Sequence, residues 1–122
     1  MPTLEEILDN YRNHPEFLGL DLTSATQRGA VDDTPLHIAD RKGELEDICG
    51  LIRYGADVNC RGDLGNTPLH NAALNGHVDA VKKLLELGAD PSLRNEFSET
   101  ALRVAQLGKY DVVAKILMSH RS

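Results

Sequence analysis

The chain has 122 residues, enough for one domain of ordinary size and too few for two. Hydrophobic residues make up 41% and charged residues 26%, which favours a folded, soluble chain over a disordered one, and with 4% aromatics and no Trp the core must be built from Leu, Ile, Val and Ala. The formal net charge of -6 repels phosphate backbones and disfavours nucleic acid as a partner, and no stretch approaches the roughly 18 apolar residues of a membrane span.

The N-terminus, MPTLEEILDNYRNH, is acidic and lacks a basic region followed by an apolar run, so no signal peptide is expected. Within it, residues 4–11 read as one amphipathic helix, followed by Pro15 and a GLDL at Gly19. TPLHIA then begins at Thr34, TPLHNA at Thr67 and TALRVA at Thr100, a period of 33. GADVN at Gly55 and GADPS at Gly88 share that period. Thr34 and Thr67 sit where a hydroxyl caps a helix start, and Pro35 and Pro68 fit a first helical turn, where a missing N–H costs nothing. Gly43 and Gly76 end these short helices. Second helices follow, with apolar residues at i, i+3, i+4 spacing: Leu45, Ile48, Leu51, Ile52, then Val78, Val81, Leu84, Leu85. Gly55 and Gly88 stop them. Each unit reads as helix, turn, helix and hairpin loop, and one unit cannot bury its own apolar face, so neighbours must stack.

The T-P-L-H-x-A signature at this period resembles the ankyrin-repeat family, strongly over residues 34–119 and weakly over residues 4–33. The resemblance implies an all-α fold: a short ankyrin-repeat solenoid of helix-turn-helix pairs joined by β-hairpin-like loops, with three repeats and an N-terminal half-repeat cap. The expected divisions are a capping helix in 1–18, a first repeat with an extended hairpin in 19–54, a second repeat in 55–87, and a third repeat with the C-terminal cap in 88–122. The first hairpin carries three extra residues, counted from Gly19 to Thr34 against Gly55 to Thr67. The third repeat has Ala101 for Pro and Arg103 for His, and its first helix is expected to be one residue shorter; terminal repeats are atypical because one face meets water.

Three rows recur at the hairpins, just before each Thr: Arg28, Arg61, Arg94; then Val31, Leu64, Phe97; then Asp33, Asn66, Glu99. In the family, hairpin tips and first helices line a concave face that binds partners, so the resemblance implies adjacent cationic, apolar and polar-to-acidic stripes there. Arginine beside an apolar or aromatic neighbour is enriched in interface hot spots. The arginines are equally suited to satisfying loop carbonyls or pairing with Asp63 or Glu96, and the apolar row to tucking against the next hairpin. Further candidates are Asp40, Arg41 and Lys42 in the turn after the first helix, Leu74 and Asn75 after the second, and Gln106 and Leu107 near the third. Asn71 occupies a place held by Ile38 and Val104 elsewhere, and reads as a hydrogen-bonded core amide or a contact.

Other motifs carry little. Arg61-Gly62-Asp63 spells an adhesion tripeptide, but three residues recur by chance and no secretion signal accompanies them. His37, His70 and His77 read as structural ties rather than metal ligands, since no Cys or carboxylate recurs at ligand spacing around them. Cys49 and Cys60 lack an obvious His partner and are expected to be reduced, in a cytosol-like compartment. No phosphate-binding glycine loop or nucleophile turn appears. Asn59 sits in a context resembling hydroxylated asparagines of animal ankyrin repeats, and more simply bonds its hairpin.

The expectation is a cytoplasmic, monomeric, non-enzymatic chain with no cofactor and no metal, binding another protein as an adaptor or scaffold, with a dedicated inhibitor as the alternative. No nucleic acid, membrane or small-molecule substrate is expected as a partner. The expected contact residues are Arg28, Val31, Asp33, Arg41, Lys42, Arg61, Asp63, Leu64, Asn66, Leu74, Asn75, Arg94, Glu96, Phe97 and Glu99.

Overall fold

Seven short helices form two stacked rows in a computed structural model that describes residues 2–17, 22–29 and 33–120. They are α1 (Leu4–Asp9), α2 (Pro35–Lys42), α3 (Leu45–Arg53), α4 (Pro68–Leu74), α5 (Val78–Glu86), α6 (Ala101–Leu107) and α7 (Asp111–Ser119). The first helices pack in series, α2 on α4 on α6, and the second helices likewise, α3 on α5 on α7; each repeat also packs its own pair together. No strand occurs among the described residues. Gly19, Leu20 and Asp21 of the GLDL, and Val31 of the first hairpin, lie outside the described residues.

The period carries the core. Ala39, Ala72 and Ala105 are fully buried, and a methyl group at this point lets first and second helices of one repeat approach closely. Ile48, Val81 and Ala114 form a second buried row, and Leu51, Leu84 and Leu117 a third. Burying such a side chain contributes about 1.5–3 kcal/mol, and it does so only because a neighbouring repeat covers it.

The N-terminal helix is shorter than its pattern predicts. It is capped by Thr3, whose hydroxyl accepts from the N–H of Glu6, and it ends at Asp9 rather than continuing to Tyr11. The chain then turns towards Pro15, and a short 3-10 turn (Pro15–Phe17) follows. Tyr11 is nonetheless buried, its hydroxyl donating to Asp47 of α3 at 2.6 Å. α1 packs on α3 at Gly50, where any Cβ would lie 2.4 Å from Ile7. Glycine inside a helix costs roughly 1 kcal/mol, and here it makes room for the N-terminal helix.

The third repeat's first helix, α6, has seven residues, one fewer than α2 and the same number as α4. The left-handed residue of the helix-helix turn keeps the 33-residue register, with Gly43 (φ 71), Gly76 (φ 68) and then Lys109 (φ 61), while Gly108 stays right-handed. A Cβ at Gly76 would lie 2.5 Å from the ring of Tyr110, and one at Gly43 would lie 2.8 Å from that of His77. The ring that opens α5 or α7 therefore lies over the turn of the preceding repeat. The expected placing of Asp40, Arg41 and Lys42 in that turn is also corrected, because all three belong to α2.

Candidate functional site

The three hairpins are closed alike. The N–H of Gly29 donates to the carbonyl of Asp33 at 2.7 Å, that of Gly62 to Asn66 at 2.9 Å, and that of Asn95 to Glu99 at 2.9 Å. The second and third hairpins are tightened further by the N–H of Gly65 on the carbonyl of Gly62 and that of Ser98 on the carbonyl of Asn95, both at 3.0 Å. The second turn places Leu64 and Gly65 at φ 59 and φ 72, closed by the Asn66 N–H on the Asp63 carbonyl at 3.2 Å. A leucine in the left-handed region costs about 1–2 kcal/mol, so the side chain is projected from a strained position.

The arginine row runs along these hairpins as a ladder. Arg28 donates to the carbonyl of Arg61 at 2.8 Å and to the sulfur of Cys60 at 3.2 Å. Arg61 donates to the carbonyl of Arg94, and Arg94 to that of Ser98 at 2.7 Å. Each of the first two thus bridges to the next hairpin, while all three side chains remain exposed. Carbonyls hold the heads of Arg61 and Arg94 in place without neutralising them.

The third row behaves differently. Asp33, expected at the surface, is 1% exposed; its Oδ1 accepts from the N–H of Asp63 at 2.8 Å, and its carboxylate pairs with Arg41. Loop N–H groups and a nearby guanidinium draw this carboxylate inward. Asn66 and Glu99 are half-buried, and both accept from the side-chain amide of Asn95, at 3.0 and 3.3 Å. The Oδ1 of Asn95 in turn accepts from the N–H groups of Phe97 and Glu99 at 2.9 and 3.0 Å. Asn95, absent from the residues expected to make contacts, organises the third hairpin, and an Asn two residues before a loop tip is a usual turn former.

The signature histidines join each repeat to the next. The ring Nε2 of His37 lies 2.9 Å from the carbonyl of Cys60, and that of His70 lies 2.8 Å from the carbonyl of Glu99. A carbonyl only accepts, so Nε2 carries the proton, and Nδ1 accepts from the N–H of Thr34 or Thr67 at 3.1 Å. Burial lowers the pKa of His70, more than its backbone bond raises it, which keeps the ring in this neutral form. His77 makes a similar tie, Nε2–H to the carbonyl of Arg41 at 2.6 Å. Asn71 is a buried amide donating to the carbonyl of His37 at 3.4 Å. The carbonyl of Asn71 accepts from the side chain of Asn75 at 2.9 Å.

Among the described residues, four large apolar side chains remain exposed on the hairpins and first helices. Leu64 is 47% and Phe97 64% exposed at the hairpin tips; Leu74 is 51% and Leu107 54% exposed at the C-terminal ends of α4 and α6. Each pair is 33 residues apart, so the four stand as two rows across repeats two and three. In the first repeat the place of Leu74 is taken by Arg41. Asp63 and Glu96 are exposed beside the tips, and Lys42 lies with its Nζ 5.6 Å from the centre of the Tyr11 ring.

Among the described residues no group of three or more His, Cys, Asp or Glu is placed to hold a metal. Cys49 and Cys60 are not joined to each other. No helix among the described residues is long and apolar enough to cross a membrane. Away from the hairpins, a groove of about 520 Å³ runs between α5 and α7, lined by Leu85, Ile116 and flanking polar residues.

A family model of ankyrin repeats in many copies matches residues 51–105, and a model of the single ankyrin repeat matches residues 32–63. No curated protein matches the chain. Ankyrin repeats generally mediate protein–protein interaction. A helical stack with this period, closed by these hairpins and matched from residue 32 to residue 105, belongs to the ankyrin-repeat family.

Proposed function

We propose that this chain binds another protein through the concave face formed by its hairpins and first helices, without catalysis, and so recruits that protein as an adaptor or scaffold. In this reading residues 1–18 cap the stack, residues 19–54, 55–87 and 88–122 are its repeats, and a cytoplasmic monomer is the working form. The observation that carries it is the pair of exposed apolar rows, Leu64 with Phe97 and Leu74 with Leu107. Each of these large apolar side chains leaves about half or more of its surface open to solvent in the stack, and exposed apolar surface rimmed by polar residues marks interaction sites.

The surface is also preorganised. The arginine ladder, Asn95 and the histidine ties fix each hairpin on its neighbour before any partner arrives, which spares the ordering cost of a flexible loop. A face of this size offers a partner roughly 800 Å², an ordinary interface. In the proposed complex the apolar rows fill pockets of the partner, and the positive charges of Arg61 and Arg94 face its acidic groups.

Affinity capture from source cells, read by mass spectrometry, tests this with the wild-type chain beside a Leu64→Ser, Leu74→Ser, Phe97→Ser variant whose circular dichroism is unchanged. A protein held by the first bait and lost by the second supports the reading; equal retention on both baits sinks it. Recovery of two partners together marks an adaptor, whereas one tight partner whose activity is lost on binding marks a dedicated inhibitor instead.

A further inference from the structure

We propose that the partner's contribution to this interface is an amphipathic α-helix lying along the stack, with apolar residues seven positions apart and an acidic residue one heptad further towards the first repeat. This rests on the concave-face reading above and adds the shape and chemistry of what is bound.

The argument begins with spacing. Leu64 and Phe97 are equivalent residues of adjacent repeats, as are Leu74 and Leu107, so each pair is separated by the distance between stacked first helices. Packed helices lie about 8–10 Å apart. A helix rises about 1.5 Å per residue, so side chains at i and i+7 share a face about 10.5 Å apart. An extended strand advances about 3.3 Å per residue and repeats a face every second residue, giving about 6.6 or 13 Å. A polyproline II segment repeats a face every third residue, about 9.3 Å, so it and the helix both keep step with the repeats, and the extended strand does not.

Width separates the two in favour of the helix. The tip row and the helix-end row are separated by the length of a first helix, and α4 (Pro68–Leu74) has seven residues, about 10 Å of rise. A helix with its side chains is about 10–12 Å across, so it fills the trough and touches both rows together. Leu64 and Phe97 then meet one edge of its apolar face, and Leu74 and Leu107 the other.

Charge gives the orientation. Followed back one repeat, the row of Leu107 and Leu74 reaches Arg41, whose side chain is 37% exposed, with exposed Lys42 beside it. The carboxylate that pairs with Arg41, Asp33, is buried, so the exposed charge in this row is cationic, while Lys42 is shared with a polar pocket that Glu44, Glu46 and Asp47 also line. An apolar anchor there would desolvate both, whereas an acidic residue one heptad along pairs with them. A second copy of this chain is a poor occupant, since two bodies of net charge -6 repel each other.

The test is selection of peptides from a displayed random 20-residue library on the full chain. Affinities of the enriched peptides are then measured by fluorescence anisotropy against wild type, Leu107→Ser and Lys42→Glu. The expected peptides carry large apolar residues at seven-residue spacing with an acidic residue one heptad to one side, and gain helical circular dichroism on binding. Leu107→Ser weakens them at least tenfold and Lys42→Glu several-fold, with the thermal midpoints of both variants near that of wild type. Peptides that lose affinity on Leu107→Ser but bind without gaining helicity, or lack the spacing, overturn the helical partner and leave the concave face standing. Peptides indifferent to Leu107→Ser, or a selection with no enrichment over a Leu64→Ser, Leu74→Ser, Phe97→Ser, Leu107→Ser chain, overturn both.

Discussion

The Nε2–H of His70 donates to the carbonyl oxygen of Glu99 at 2.8 Å, tying the first helix of one repeat to the closing residue of the next hairpin. The same ring accepts from the N–H of Thr67 through Nδ1, so one neutral imidazole satisfies two backbone groups in two repeats.

Replacing His70 with Ala leaves both groups without a partner and opens a void at a fully buried site. The expected loss of stability is about 2–3 kcal/mol, read as a lower urea midpoint with an unchanged slope. The ring also makes stability depend on pH. Its folded pKa lies below the ordinary 6.5, so the unfolded chain binds the proton more readily. This contribution is complete above 6.5 and is lost as pH falls below it towards the folded pKa. The decline between pH 7 and pH 5 is expected to be shallower in His70→Ala; an identical decline would show that other groups cause it.

Asp40 works against the fold at neutral pH. It is fully buried in α2, neither carboxylate oxygen has a hydrogen-bond partner, and burial alone pushes its pKa well above the ordinary carboxylate value. The equivalent residue of the second repeat is Ala73, also buried. A folded pKa above the unfolded one means that the contribution is full below about 3.8 and is lost as pH rises through the folded value. Asp40→Ala is therefore expected to stabilise the chain by about 1–3 kcal/mol at pH 7, with a smaller gain at pH 4.5. Thermal melts at the two pH values check this, and a destabilised variant at pH 7 would show that the carboxylate has a partner in solution.

Leu64 links strain to binding. Its φ of 59 is one that glycine adopts without penalty, and its side chain contributes exposed apolar surface. Leu64→Gly is expected to raise stability by up to about 1 kcal/mol, the relief of strain offset in part by the freedom of glycine in the unfolded chain. The same substitution is expected to weaken capture of the partner. Paired denaturation and binding measurements decide the matter; a less stable Leu64→Gly would mean that the leucine supports its hairpin.

The architecture was legible in the sequence because it rests on local chemistry repeated at a fixed interval. Thr and Pro at Thr34, Pro35, Thr67 and Pro68 start helices, glycines end them, and the apolar spacing of Ile48, Leu51, Val81 and Leu84 declares which face is covered. These signals act within a few residues and need no neighbour to be read. The exposed row of Leu64 and Phe97 was visible for the same reason, as a recurrence at a place the fold does not bury.

What only the tertiary structure decided is where polar side chains turn, since that depends on donors and acceptors brought from elsewhere in the chain. The 33-residue spacing groups Asp33 with Asn66 and Glu99 as a surface row, yet the N–H of Asp63 and the guanidinium of Arg41 draw it under the hairpin. His37 and His70 occupy equivalent places but tie to different landmarks, Cys60 ahead of its hairpin and Glu99 at the end of the next. The arginines were balanced in the sequence between holding the loops and facing a partner. The stack fixes the bonds of Arg28 and Arg61 to carbonyls of the next hairpin, because packing one repeat on another brings together groups 33 residues apart that no local pattern could have aimed, whereas Arg94 bonds the Ser98 carbonyl of its own hairpin.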